Sequence, residues 1–206
     1  MPQSLLPCIE LQTGDHSDSA VIWLHGLGAD GSDFVPIVEQ MGLPPSLSIR
    51  FVFPHAPVRP VTLNGGMPMR AWYDIHNSEL ASRADLAGVR ASQAQIESLI
   101  EREKTRGIAA RRIVVAGFSQ GGAIALHAGV RYTERLAGII ALSTYLVDPD
   151  HLADEASPAN RDVPIFMAHG TQDPMVRFEW GEASRRVLVE NGYKVEWHTY
   201  PMQHAV

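Results

Sequence analysis

The 206-residue chain contains one cysteine, Cys8, which excludes an internal disulfide and any metal site built on several cysteines, and which fits a reducing compartment. No stretch approaches the roughly 18 to 20 consecutive apolar residues that a membrane span needs. The N-terminal stretch MPQSLLPCIELQTGD has neither the basic start nor the sustained apolar core of a secretion signal. Basic charge is scarce too: 17 Lys and Arg face 23 Asp and Glu, for a net charge of −6, and no basic cluster stands out. Nucleic acid and anionic membranes are poor partners for such a surface. No group of residues has metal-ligand spacing, so no metal is expected. Internal repeats, linkers and low-complexity tracts are missing as well. What remains reads as a soluble, cytoplasmic protein, 45% hydrophobic and long enough to bury a substantial core as one domain over residues 1–206.

Short apolar runs recur at Ala20 to Leu24, Ile49 to Phe53, Ile113 to Ala116, Ala137 to Leu142, Val163 to Ala168 and Lys194 to Tyr200, with Cys8 near a first strand. Helical patterns alternate with several of them. Asp85 to Lys104 places Leu86, Val89, Ile96, Leu99 and Ile100 at mostly helical spacings, and Gly107 follows as a stop; Val176 to Glu190 is similar. Strands of continuous hydrophobicity alternating with helices predict an α/β fold, a mainly parallel sheet covered by helices on both faces. Sites in such sheets lie beyond the carboxyl ends of the strands. Pro54 to Asn77, rich in Pro and Gly, is too long for a simple connection and is expected to be a functional excursion.

The segment RRIVVAGFSQGG carries the chemistry. An apolar β-branched run enters Gly117-Phe118-Ser119-Gln120-Gly121, a G-x-S-x-G pattern, and an apolar helix pattern leaves it. A strand that reverses abruptly into a helix crowds the residues on either side of the turn, and glycine relieves that crowding. Ser119 is then forced into a sparsely populated conformation that lifts its hydroxyl above the sheet edge, under the N-terminal dipole of the helix.

A serine hydroxyl is a weak nucleophile until a histidine takes its proton and a carboxylate orients that histidine. Two of the nine histidines, His198 and His204, come late enough in the chain. His198 lies inside the strand pattern VEWHTY, whereas His204 follows it in a loop at the strand's carboxyl end. Asp173, in HGTQDP after the Val163 to Ala168 strand, is the matching acid; an N-cap role before Pro174 is compatible with it. His169 reads as a structural residue that ends the strand. The alkoxide formed in acyl transfer needs preorganised N–H donors. The Gln120 N–H is one, and the loop His25-Gly26-Leu27-Gly28 supplies the other, assigned to Leu27, with His25 steadying the loop.

Together VIWLHGLGADGSDF, RFVFPHAPVRPVTLNGG, AWYDI, IVVAGFSQGGAIALH, GIIALSTYL, PIFMAHGTQDPMV and YPMQHAV resemble the carboxylesterase and acyl-protein thioesterase family of α/β-hydrolases over nearly the whole chain. The resemblance implies Ser119, Asp173 and His204 as a catalytic triad, Leu27 and Gln120 as the oxyanion hole, and cofactor-free hydrolysis of esters or thioesters of medium acyl length. It is compatible with a homodimer. Leu63, Met67, Met69, Trp72, Leu146 and Val176 are candidates to line an apolar acyl pocket, with core packing the competing role for Trp72. The first expectation is a serine carboxylesterase acting on short to medium acyl esters. An acyl-protein thioesterase and a non-catalytic binding module on the same fold are the alternatives. Family members usually continue past the histidine into a final helix, whereas this sequence has two residues after His204. Either the sequence is incomplete or that helix is absent, and if it is absent a poorly ordered base is expected.

Overall fold

In a computed structural model, which describes residues 5–44, 46–76 and 85–206, the apolar runs read from the sequence are all strands. The elements in chain order are β1 (Cys8–Gln12), β2 (Ser19–Leu24), α1 (Val35–Gln40), β3 (Ile49–Pro54), β4 (Val58–Val61), β5 (Met67–Arg70), α2 (Leu86–Thr105), β6 (Ile113–Phe118), α3 (Gln120–Arg131), β7 (Gly138–Leu142), α4 (Leu152–Glu155), β8 (Ile165–Gly170), α5 (Phe178–Glu190) and β9 (Val195–Tyr200). Seven strands form one sheet in the order β1-β3-β2-β6-β7-β8-β9. Every neighbouring pair is parallel except β1 with β3, where the half-buried CIELQ strand closes one edge antiparallel.

Alternate residues of the central strands feed two apolar layers, which is why the strands read as unbroken hydrophobic runs. On one face Ile22, Leu24, Val115, Ile139 and Met167 pack against Val89, Ile96 and Leu99 of α2, against most of α3 and against Leu188 of α5. The other face carries Trp23, Phe51, Phe53 and Ala116 under Phe34, which precedes α1, and Val38 of α1, with Trp23 stacked on Phe34 at 5.3 Å between ring centres. Each such aromatic or aliphatic side chain contributes about 1.5–3 kcal/mol by leaving water. Farther along that second face, Ile140 and Phe166 border an open groove of about 720 Å³.

The helix predicted from Asp85 begins at Leu86, because the Asp85 carboxylate accepts the Gly88 N–H at 2.9 Å and caps the first turn. The Pro54 to Asn77 excursion has structure of its own up to Ile75. Strands β4 and β5 form a separate antiparallel ribbon in which Val58 faces Arg70 and Val61 faces Met67; Asn77 lies outside the described residues. The direction of strand addition reverses between β2 and β6, whose register sets Leu24 beside Gly117. The loops leaving these two strands therefore open a crevice at the carboxyl edge, where α/β sheets bind their ligands.

On α3, His127 is fully buried. Burial, reinforced by the neighbouring Arg131, lowers its pKa to about 4 from an ordinary 6.5. Between those values the unfolded chain binds a proton that the native state refuses, so this residue's contribution to stability is lost as the pH falls from 6.5 toward 4. The slope is at most about 1.4 kcal/mol per pH unit. Urea unfolding at pH 7.0, 5.5 and 4.5 is expected to show that loss in the wild type and a shallower one in a His127→Phe variant.

Candidate active site

The turn after β6 is built around backbone clearance. A Cβ placed on Gly117 would lie 2.3 Å from the Gly121 carbonyl oxygen, and one on Gly121 would lie 2.5 Å from the carbonyl oxygens of both Leu24 and His25. The first clash is across the turn, as the pattern predicts. The second is with the end of β2, so the glycine also lets α3 start against the neighbouring loop. Between them Ser119 sits at φ 54°, ψ −123°, outside the regions open to most L-residues. Its N–H is secured by the Leu142 carbonyl at 2.9 Å.

His204 reaches this serine from the loop after β9. Its Nε2 lies 3.0 Å from Ser119 Oγ, and its Nδ1 lies 2.6 Å from Asp173 Oδ2. Given these partners, Nδ1–H donates to the carboxylate and Nε2 accepts from the hydroxyl. The Asp173 side chain is wholly buried. Its other oxygen accepts the Met175 and Val176 N–H groups at 2.8 and 2.9 Å. The carboxylate thus closes a turn with Oδ1 and faces the imidazole with Oδ2. It does not cap α5, which starts at Phe178 with Arg177 as its N-cap. His169, buried behind it, donates from Nε2 to the Val176 carbonyl at 2.9 Å and holds that same turn. His198 is remote in function: it pairs with Glu196 and stacks on Phe166 on the open side of the sheet.

The loop that carries His204 is held at several points. The Gly170 position at the end of β8 lets the Met202 and Gln203 carbonyls pass where a Cβ would meet them at 2.4 and 2.5 Å. The Gln172 N–H donates to Met202 O, Ser143 Oγ donates to Ala205 O at 3.2 Å, and the imidazole packs on Phe118 with ring centres 4.6 Å apart.

Ser119 and His204 open into a cavity of about 510 Å³, with Leu27 and Gln120 in its wall. Neither the Leu27 nor the Gln120 N–H has a hydrogen-bond partner among the described residues. His25 is fully buried: Nδ1–H donates to Gly26 O at 2.7 Å, and Nε2 accepts the Ala56 N–H. Burial lowers its pKa, which the bond to the Gly26 carbonyl only partly offsets, so the ring stays neutral. Of the pocket candidates, Leu63, Met69 and Val176 line the cavity. Trp72 does not. It is a core residue with no exposed surface, its indole N–H donates to the His25 carbonyl, and its own backbone N–H donates to the Gln120 side chain. Leu146 is likewise buried outside the cavity, and Met67 points to solvent from β5. Sequence reasoning missed Ile75, Phe118, Tyr145 and Met175 in the lining. Tyr145 was within reach of the rule that found Ser119 and Asp173, because it follows β7 at the same sheet edge.

With this geometry in place, comparison with known proteins is decisive. The family model described as phospholipase/carboxylesterase matches residues 8–206. The chain belongs to that family. It is 42% identical to an acyl-protein thioesterase 1 of Neurospora crassa, over 97% of this chain and 83% of that protein, and 38% identical to the one of Yarrowia lipolytica, over 94% and 87%. Among solved structures, Arabidopsis thaliana SOBER1 superposes with a TM-score of 0.85 at 30% identity, covering 91% of each chain. Zea mays acyl-protein thioesterase 2 superposes with a TM-score of 0.83 at 28% identity, covering 97% of this chain and 92% of that one. The protein is accordingly an enzyme, a serine hydrolase with the α/β-hydrolase architecture.

Because the Gly117 Cβ has only backbone to meet, Gly117→Ala is expected to cost about 3 kcal/mol or more. Thermal melting of the purified variant checks this, and a melting temperature equal to wild type would contradict the clearance argument.

Proposed function

We propose that this enzyme is an acyl-protein thioesterase, which removes fatty acyl groups from cysteine through a Ser119 acyl-enzyme. The observation that carries the reading is the hydrogen-bonded series Asp173–His204–Ser119 ending in an apolar cavity lined by Leu63, Met69, Tyr145 and Val176. Relatives named acyl-protein thioesterase 1, 35–42% identical over most of the chain, favour the thioester over the simple carboxylic ester that the sequence alone put first. A free thiol at Cys8 is compatible with the reducing cytoplasm.

In this mechanism Ser119 Oγ adds to the thioester carbonyl carbon while its proton passes to His204 Nε2. Asp173, already hydrogen-bonded to Nδ1, stabilises the resulting imidazolium. The Leu27 and Gln120 N–H groups receive the negative oxygen. Collapse of the tetrahedral species breaks the C–S bond, and the departing sulfur takes the proton from His204. A water, deprotonated by the same imidazole, then attacks the acyl-enzyme and releases the fatty acid and Ser119. The apolar cavity wall receives the chain, and flexible methionines suit chains of varied length.

Ser119→Ala is expected to fold normally, to lose turnover by a factor of about a thousand or more, and to resist a fluorophosphonate probe. Labelling of the variant, read by intact-protein mass spectrometry, would refute the nucleophile assignment. Comparison of kcat/KM for an S-acylated peptide with that for an oxygen ester of the same acyl chain separates thioesterase from carboxylesterase. The thioester is expected to be preferred; a preference for the oxygen ester restores the carboxylesterase reading.

A further inference from the structure

An oxyanion hole works only if its N–H groups are held in direction before charge develops. Each N–H shares a planar peptide unit with the carbonyl of the preceding residue, and no cis peptide occurs among the described residues. In a trans unit the two point in opposite directions. Anchoring the carbonyl therefore aims the N–H. For Leu27 the carbonyl is that of Gly26, held by His25 Nδ1–H. For Gln120 it is the carbonyl of Ser119 itself, which accepts the Thr144 hydroxyl at 2.6 Å and the Ala123 N–H at 3.1 Å.

Thr144 follows β7 and is only 1% exposed. It has little room to move, because a Cβ on Gly122 would come within 2.8 Å of its Cβ and 2.9 Å of its Cγ2. The side chain is seated against Gly122, a helix position that has no side chain, with its hydroxyl turned to Ser119 O. The torsion that orients the Ser119–Gln120 peptide is the ψ of Ser119, −123° in a backbone state that persists only where the surroundings enforce it. The Ala123 N–H is an ordinary first-turn helix bond. The Thr144 hydroxyl is the additional constraint, and it comes from a different strand.

We propose that Thr144 is a positioning residue of the acyl-transfer reaction, its hydroxyl fixing the Ser119–Gln120 peptide so that the Gln120 N–H faces the developing oxyanion. This rests on the Ser119 acyl-enzyme reading given above. Thr144→Val keeps the shape and the contact with Gly122 but removes the donor, whereas Thr144→Ser keeps the donor and loses the methyl group.

The expected result for Thr144→Val is a kcat lower by about tenfold to a hundredfold, with KM and melting temperature close to wild type and with Ser119 still labelled by a fluorophosphonate. Affinity for a trifluoromethyl ketone, whose adduct carries the oxyanion, should fall by the same factor as kcat, and Thr144→Ser should restore most of both. The proposal is overturned if kcat of Thr144→Val stays within about twofold of wild type, if ketone affinity is unchanged, or if Thr144→Ser is as impaired as Thr144→Val. Should Thr144→Val fail to fold, Thr144→Ser alone decides: wild-type ketone affinity supports the proposal and a loss overturns it. Failure of the underlying reading looks different, since it would show as fluorophosphonate labelling of Ser119→Ala.

Discussion

The site depends on how closely the first turn of α3 approaches the ends of β2 and β6. Carbonyl oxygens of Leu24, His25 and Gly121 occupy the space where side chains at positions 117 and 121 would otherwise stand. That proximity forces the unusual Ser119 backbone, brings the Gly26–Leu27 loop beside the serine, and leaves the Gln120 N–H at an open helix end. Hydrogen bonding of His204 and Asp173 is arranged around this fixed point. The acid and the base belong to loops from adjacent strands, β8 and β9, and β7 separates them from the serine's strand.

Most of the frame was legible in the sequence because central strands buried on both faces leave unbroken apolar runs, and helices leave spaced ones. The position of Ser119 could be read from two glycines with one backbone explanation. His204 and Asp173 could be read from their places just after strands. The edge strand β1 was harder to see, since CIELQ alternates polar and apolar residues and is only half-buried. The β4–β5 ribbon was hidden by the prolines and glycines that suggested an irregular excursion. Pocket residues were the least readable. Trp72 has the composition expected of a pocket wall, yet the Gln120 and His25 acceptors draw its two N–H groups into the core. No local pattern encodes such a partnership between residues nearly fifty positions apart.

Those same bonds give the 54–76 excursion a role beyond lining the cavity. The Gln120 side chain accepts from Trp72 N–H and donates to Tyr73 O, while the Gly28 N–H donates to Arg70 O. Both segments that carry the proposed oxyanion donors are therefore tied to one intervening segment. Tyr73 in turn hydrogen-bonds to Tyr145, which lines the cavity at Ser119. On the proposed function, the wall that meets the acyl chain and the backbone that meets its carbonyl belong to a single bonded unit. Substitutions in either are expected to be felt in the other.

The chain order of the three groups in the proposed triad also bears on biosynthesis. Ser119, Asp173 and His204 are made in that sequence, and the last becomes useful only when β9 has paired with β8 and its loop has crossed Gly170. A nascent chain that has emerged only as far as β8 thus carries Ser119 without the histidine proposed as its base. On the proposed triad, hydrolytic competence therefore waits for β9 to stand beside β8, whatever the state of the strands made before it.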